Sequence, residues 1–273
     1  MMRLVRSELV KQIRRPRTWV AFAFVVAVPI IVTIALKANP PDATGDRGEG
    51  PHFFFLATQT GLIVPAAALQ LMSRFFLVVV LCLFAGDAVA GEAGWGNLRY
   101  VLVRPVPRGR LLAAKLAVAA FFGLVATALV AFSGLVAGVI AFGWHPLELP
   151  FGGLSQSPGS LLANTGLAVV LVTWGLAAVI AFGFMLSTMT DNAAGAIFAA
   201  VGLYIVSTIL DAIDSLGSIR YGLPVHYFDA WSDLFTSNRF TDDMWRSILV
   251  QVPYVLVFCA LAWWWFRRKD IKS

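Results

Sequence analysis

The sequence predicts an all-α integral membrane protein. Six transmembrane helices form one domain over residues 1–273, with an interfacial amphipathic helix ahead of them and a short amphipathic helix between the second and third. Three observations predict this. Hydrophobic residues make up 59% of the chain and charged residues 13%, with a mean hydropathy of +0.79. A soluble domain is roughly half apolar and a quarter charged. Six apolar stretches approach the ~20 residues needed to cross a ~30 Å hydrocarbon core. The basic residues gather in alternate loops.

Residues 2–17 come first. Val5, Leu9 and Ile13 recur every four residues, while Arg3, Arg6, Lys11 and Arg14 lie mostly off that stripe. This is the pattern of a basic helix lying along a membrane surface. The first span is Thr18–Leu36. Its apolar run exceeds the 7–15 residues of a signal-peptide core, so it is expected to be retained. The second is Pro65–Ala85, with an open outer boundary because Phe53–Leu71 is also apolar. The others are Leu112–Phe142, long enough to tilt, Leu161–Leu186, Ala193–Leu210 and Ile248–Phe266.

Fifteen of the 21 basic residues fall in the N-terminal tail, in the loop between spans two and three, and in the C-terminal tail. The positive-inside rule places those three segments, and so both termini, in the cytoplasm of a multi-pass plasma (inner) membrane protein. The net charge of +6 is then explained without nucleic acid. The opposite side is acidic or neutral. Its longest segment, 211–245, carries Pro224, His226, Tyr227, Trp231, Leu234 and Phe235. It is expected to lie at the interface or to dip back into the protein.

Several chemistries find no support. No lysine follows a glycine, so there is no Walker A phosphate loop. There is no His-Glu-x-x-His and no Gly-x-Ser-x-Gly. Cys82 and Cys259 lie in apolar runs and read as small hydrophobes. Asp87 is only a near miss for an intramembrane aspartyl protease, and at the inner boundary of span two its carboxylate is expected to stay hydrated. Arg74, within span two, is a possible intramembrane charge, expected near the outer boundary with Asp211 or Asp214 as partner. The chain is not expected to be an enzyme or to carry a cofactor.

The loop 87–110 carries the most information. Gly91, Gly94 and Gly96 are expected to break the helix, and Asn97 to cap a short one. Leu98, Val101 and Leu102 form its apolar stripe, with Arg99 and Arg104 off it. Pro105 and Pro107 stop it, and Arg108 and Arg110 mark the membrane surface.

With Asp87, Gly91-Glu92, Gly96, Leu98, Leu102, Arg104-Pro105-Val106, Arg108, Leu111 and Lys115, this loop resembles that of the type-2 permeases of ATP-binding-cassette transporters, exporter-like in character. Asn97 stands where the family usually has threonine. The N-terminal helix, the turn from Leu186-Ser187 to Asp191, the segment Leu223-Pro224 to Leu234 and the tail from Phe266 to Ile271 extend the resemblance along nearly the whole chain. It implies a permease subunit whose short cytoplasmic helix couples it to a separate ATPase subunit. The leucines would enter a groove there, with Arg99 and Glu92 at the rim. It also implies a second permease subunit, identical or related, and ATP and magnesium held on the ATPase partner. The exported compound would be hydrophobic or amphipathic: a drug, an antibiotic or a lipid-linked molecule. A secondary transporter, an intramembrane enzyme and a non-transporting, ATPase-coupled sensor are the competing classes.

Overall fold

Capping chemistry sets where the helices begin. The computed structural model describes residues 2–41, 53–94, 107–147, 156–236 and 240–268. Helix α1 covers Met2–Ile13. Arg15 is extended and Pro16 opens α2, Pro16–Ala38, where a missing N–H costs nothing. Helix α3 is Phe53–Gln59, α4 is Val64–Ser73, α5 is Phe76–Gly86 and α6 is Ala90–Gly94. Helix α7, Arg108–Phe142, follows Pro107 and ends at Gly143, whose φ of 82° suits glycine. Ser157 caps α8, Pro158–Gly175, by accepting from Ser160 N. Helix α9 is Ala177–Met189. Asn192 caps α10, Ala193–Asp211, by accepting from Gly195 N. Two 3-10 segments follow, Asp214–Gly222 and Phe228–Phe235. Helix α11, Asp242–Arg268, has two aspartates in its first turn and two arginines in its last, each opposing the helix dipole.

The protein is all-helical, with no strand among the described residues; Leu147 and Gln156 form an isolated bridge. Among the described residues, five helices are long and apolar enough to cross a membrane, six if the pair α4–α5 counts as one bent span. Their outer surface is apolar. Trp19, Ile34, Phe132, Ile140, Phe198 and Leu256 are each at least 62% exposed, as expected where hydrocarbon is the solvent.

Three features differ from the sequence expectation. The second span bends by 61° at Arg74–Phe75, between α4 and α5. The fourth is broken at Leu176, between α8 and α9. The last helix begins at Asp242 rather than Ile248. The apolar stretch before span two forms the separate helix α3.

Helix α7 is the axis. It packs on α2, α4, α5, α1 and α8. Gly134 and Gly138, one turn apart, admit the start of α4. A Cβ on Gly138 would overlap the Gly61 carbonyl, and one on Gly134 would sit 3.2 Å from Pro65 Cα. Small residues at this spacing let membrane helices approach closely. Phe22, Phe84 and Phe122 join α2, α5 and α7, with ring centroids 5.4–5.8 Å apart. Helix α9 packs on α11, α10 and α5.

Candidate functional site

One end of the bundle gathers charge. Lys115, one turn past Leu111 on α7, is 3% exposed. Its Nζ lies 2.9 Å from Glu8 Oε2 and 2.8 Å from Glu92 Oε2, and it donates to the Ala88 carbonyl at 3.0 Å. Lys11 bridges the same two carboxylates, at 2.7 Å from Glu8 and 3.2 Å from Glu92. Asp87, the residue after α5, is 1% exposed and paired with Arg15 and Arg17. Three carboxylates and four cations from α1, the start of α2, the end of α5, α6 and α7 thus form one network. Phe84 and Phe122 of the apolar core are in ring contact with each other, and Phe84 lines the same small cavity as Glu8, Lys11, Arg15 and Lys115.

Burial alone would raise the pKa of Glu8, but Lys115 and Lys11 more than offset it and hold the carboxyl below its ordinary value of 4.5. Burial likewise opposes the charge on Lys11, and Glu8 and Glu92 overcome it, raising the ammonium above 10.5. Asp87 goes the other way. Burial raises its pKa above 3.8 despite Arg15, Arg17 and Lys115. Its Oδ1 has no hydrogen-bond partner among the described residues.

Helix α6 is fixed on every side. The buried Ser187 hydroxyl of α9 accepts from Val89 N and Ala90 N, both at 2.9 Å, satisfying amides at the helix start. Asp87 lies over Gly91, where any Cβ would collide with the carboxylate. Gly91 therefore sits inside a short helix and does not break one; the break before that helix falls at 87–89, and Gly94 is the last residue described before 107. Gly91 is needed for close approach, not for its backbone freedom.

Asp87, Gly91 and Glu92 come together here. Asp87 is not hydrated but enclosed. Glu92 is 5% exposed and turned inward to Lys11 and Lys115, away from any rim. Arg108, at the start of α7, donates to the Arg267 carbonyl at 3.3 Å, so the ends of α1 and α11 share this end of the bundle. Gly96, Leu98, Arg99, Leu102, Arg104 and Pro105 lie outside the described residues. Arg74 stands a helix length away, at the α4–α5 bend, paired with Asp229 at 2.8 Å. Asp211 and Asp214 engage Arg220 instead, and Asp211 also meets His226.

Two kinds of residue escaped the sequence reading. Glu8 is the one acid in a basic tail, a visible oddity. Gln251, Asn164 and Gln156 are buried amides that organise the opposite end. Gln251 Nε2 donates to the carbonyls of Gly175 at 2.6 Å and Pro224 at 2.8 Å, and its Oε1 accepts from Ala178 N at 3.1 Å. It thereby satisfies the backbone at the α8–α9 break. Asn164 and Gln156 donate to the carbonyls of Leu234 and Phe235. Trp231 and Phe235 pack on Phe53. The segment after α10 is thus folded back onto the bundle. Among the described residues, no three His, Cys, Asp or Glu side chains are placed to hold a metal.

The chain belongs to the DUF2705 family, a family described as protein of unknown function, whose model matches residues 49–272. It is similar to the uncharacterized protein YhcI of Bacillus subtilis strain 168. The identity is 21% over 224 residues, covering 77% of this chain and 68% of that one. The family match includes Asp87, Glu92 and Lys115 and begins after Glu8, Lys11, Arg15 and Arg17.

Proposed function

We propose that this chain is the membrane-spanning permease subunit of an ATP-binding-cassette transporter, exporting a hydrophobic or amphipathic compound. In this reading α2, α4–α5, α7, α8–α9, α10 and α11 are the six spans. Both termini face the cytoplasm, α1 lies at the inner surface, and the plasma membrane is the site of action. Two permease subunits pair, and two separate ATPase subunits dock on 91–104 and α1, bringing their own ATP and magnesium.

The observation that carries the reading is the clamping of α6. This helix leads directly into the stretch that bears Leu98 and Leu102. It is tied to α1 and α7 through Glu92 and to α9 through Ser187. A push delivered to α6 would therefore reach three helices at once, as coupling requires. Buried ion pairs suit this role, because their geometry tolerates little slack.

The test is a pull-down of tagged protein from native membranes in mild detergent, with mass spectrometry and an ATPase assay. A P-loop ATPase is expected to co-purify with wild type. The double variant Leu98→Asp/Leu102→Asp should lose or uncouple it while keeping its folded yield. Glu92→Ala should instead reduce folded yield, since it removes one of the two carboxylates that hold the buried Lys115. If no ATPase co-purifies, the permease reading fails. If one binds the leucine variant normally, the contact assignment fails.

A further inference from the structure

A groove of about 780 Å³ runs between α2 and α7 in the half of the bundle remote from the ion network. It extends from Val26 to Ala38 on α2 and from Leu129 to Ala141 on α7. Each stretch rises about 18 Å, close to the ~15 Å of one leaflet's hydrocarbon. The wall is hydrocarbon. Its two hydroxyls are already used within their own helices: Thr33 donates to the Pro29 carbonyl at 2.7 Å, and Ser133 to the Val130 carbonyl at 3.2 Å. A polar solute would find no partner along it. Among the described residues the lining contains one charge, Lys37, near the C-terminal end of α2. Lys37 is exposed and has no carboxylate within ion-pair distance among the described residues.

We propose that this groove is a binding site for an anionic glycerophospholipid, with one acyl chain along α2 and α7 and the phosphate at Lys37. The two halves of the site ask for different chemistry: hydrocarbon over a leaflet's depth, then a single negative charge. A phospholipid of the leaflet that Lys37 faces supplies both. Ile34 and Ile140, at 63% and 78% exposure, flank the upper groove and would be covered by the chain. The site needs no ATPase and goes beyond the permease reading.

The test uses the full chain in nanodiscs holding trace phosphatidylglycerol or phosphatidylcholine with a photoactivatable acyl chain. Labelled peptides are mapped by mass spectrometry. Phosphatidylglycerol is expected to label Leu129–Ala141 more densely than the α10 face around Phe198, which is 76% exposed. Lys37→Gln should lower that labelling about fivefold, the factor one surface lysine contributes, and leave phosphatidylcholine labelling unchanged. Val136→Trp, which fills the groove, should lower labelling by both lipids. Equal labelling of the groove and the α10 face would overturn the proposal. So would an unchanged lipid preference in Lys37→Gln, or a groove left unlabelled because a second copy covers it.

Discussion

The two ends of the bundle are held together by different physics. At one end, Glu8, Asp87 and Glu92 meet Lys11, Arg15, Arg17 and Lys115. At the other, Gln156, Asn164 and Gln251 donate to backbone carbonyls over a packed cluster of Phe53, Trp231 and Phe235, and the charges, Arg220 with Asp211 and Asp214, stay partly exposed. Charges bind strongly, but they are costly to bury and respond to pH and salt. Neutral amides satisfy the backbone where a helix breaks and are indifferent to both. The ionic end is therefore the one that a change in charge or a docking partner can reset, while the amide end serves as the fixed frame.

The largest expected effect separates the two ends. Lys115→Met leaves Glu8 and Glu92 buried with only the half-exposed Lys11 between them. Breaking a buried pair from one side costs about 3–5 kcal/mol. Gln251→Leu removes three hydrogen bonds and strands the Gly175 and Pro224 carbonyls and the Ala178 amide. A smaller loss of about 2–3 kcal/mol is expected. Thermal unfolding in detergent, followed by helical circular dichroism, measures both. If Gln251→Leu proved the costlier change, the frame and not the network would be the chief source of stability.

These two positions also show what the sequence discloses. Both are polar residues within apolar runs, and so both are visible. In the sequence Lys115 counts only as one of the basic residues between spans two and three, because its partners, Glu8 and Glu92, lie 107 and 23 positions away and only folding unites them. Gln251 reads as one polar side chain in a span because nothing local shows that the helix opposite breaks at Leu176. That the chain is all-helical, with five or six apolar helices long enough to cross a membrane among the described residues, was legible because membrane thickness fixes their length. The bend at Arg74–Phe75 and the break at Leu176 were not, since backbone left unpaired at membrane depth is tolerated only when a distant side chain satisfies it. Gly91 was seen, but its reason was misread. Its neighbour in space is Asp87, so its lack of a side chain serves packing.

A pH series sharpens the comparison within the ionic end. Glu8 is depressed when folded, so its contribution is present above 4.5 and is lost as pH falls through the lower folded value. Lys11 is raised, so its contribution is present below 10.5 and is lost as pH rises through the higher folded value. Asp87 is raised, so ionising it weakens the fold as pH climbs above 3.8. Asp87→Asn should therefore cost less than Glu8→Gln at neutral pH, because Arg15 and Arg17 are partly exposed and can hydrate while Lys115 cannot. Wild type should also gain stability relative to Asp87→Asn as pH drops from 7 towards that range. Parallel curves for the two proteins would show that Asp87 is not paying a burial cost.

The smallest effect belongs to Arg74. Its pair with Asp229 joins the α4–α5 bend to the 3-10 segment Phe228–Phe235, so it is the charged contact best placed to make the amide end ionic as well. Exposure argues against that. Arg74 is 63% and Asp229 53% exposed, and such pairs contribute about 0–1 kcal/mol. The segment has firmer anchors in Asn164, Gln156 and the Phe53–Trp231 stack. Arg74→Ala should thus shift unfolding by no more than about 1 kcal/mol, and the shift should shrink further at high salt. A loss above about 2 kcal/mol that persists in salt would mean the bend is held by a desolvated charge. The contrast between an ionic end and a neutral end would then collapse into two ionic ends, and Arg74 would belong with Lys115 among the residues that fix the helices.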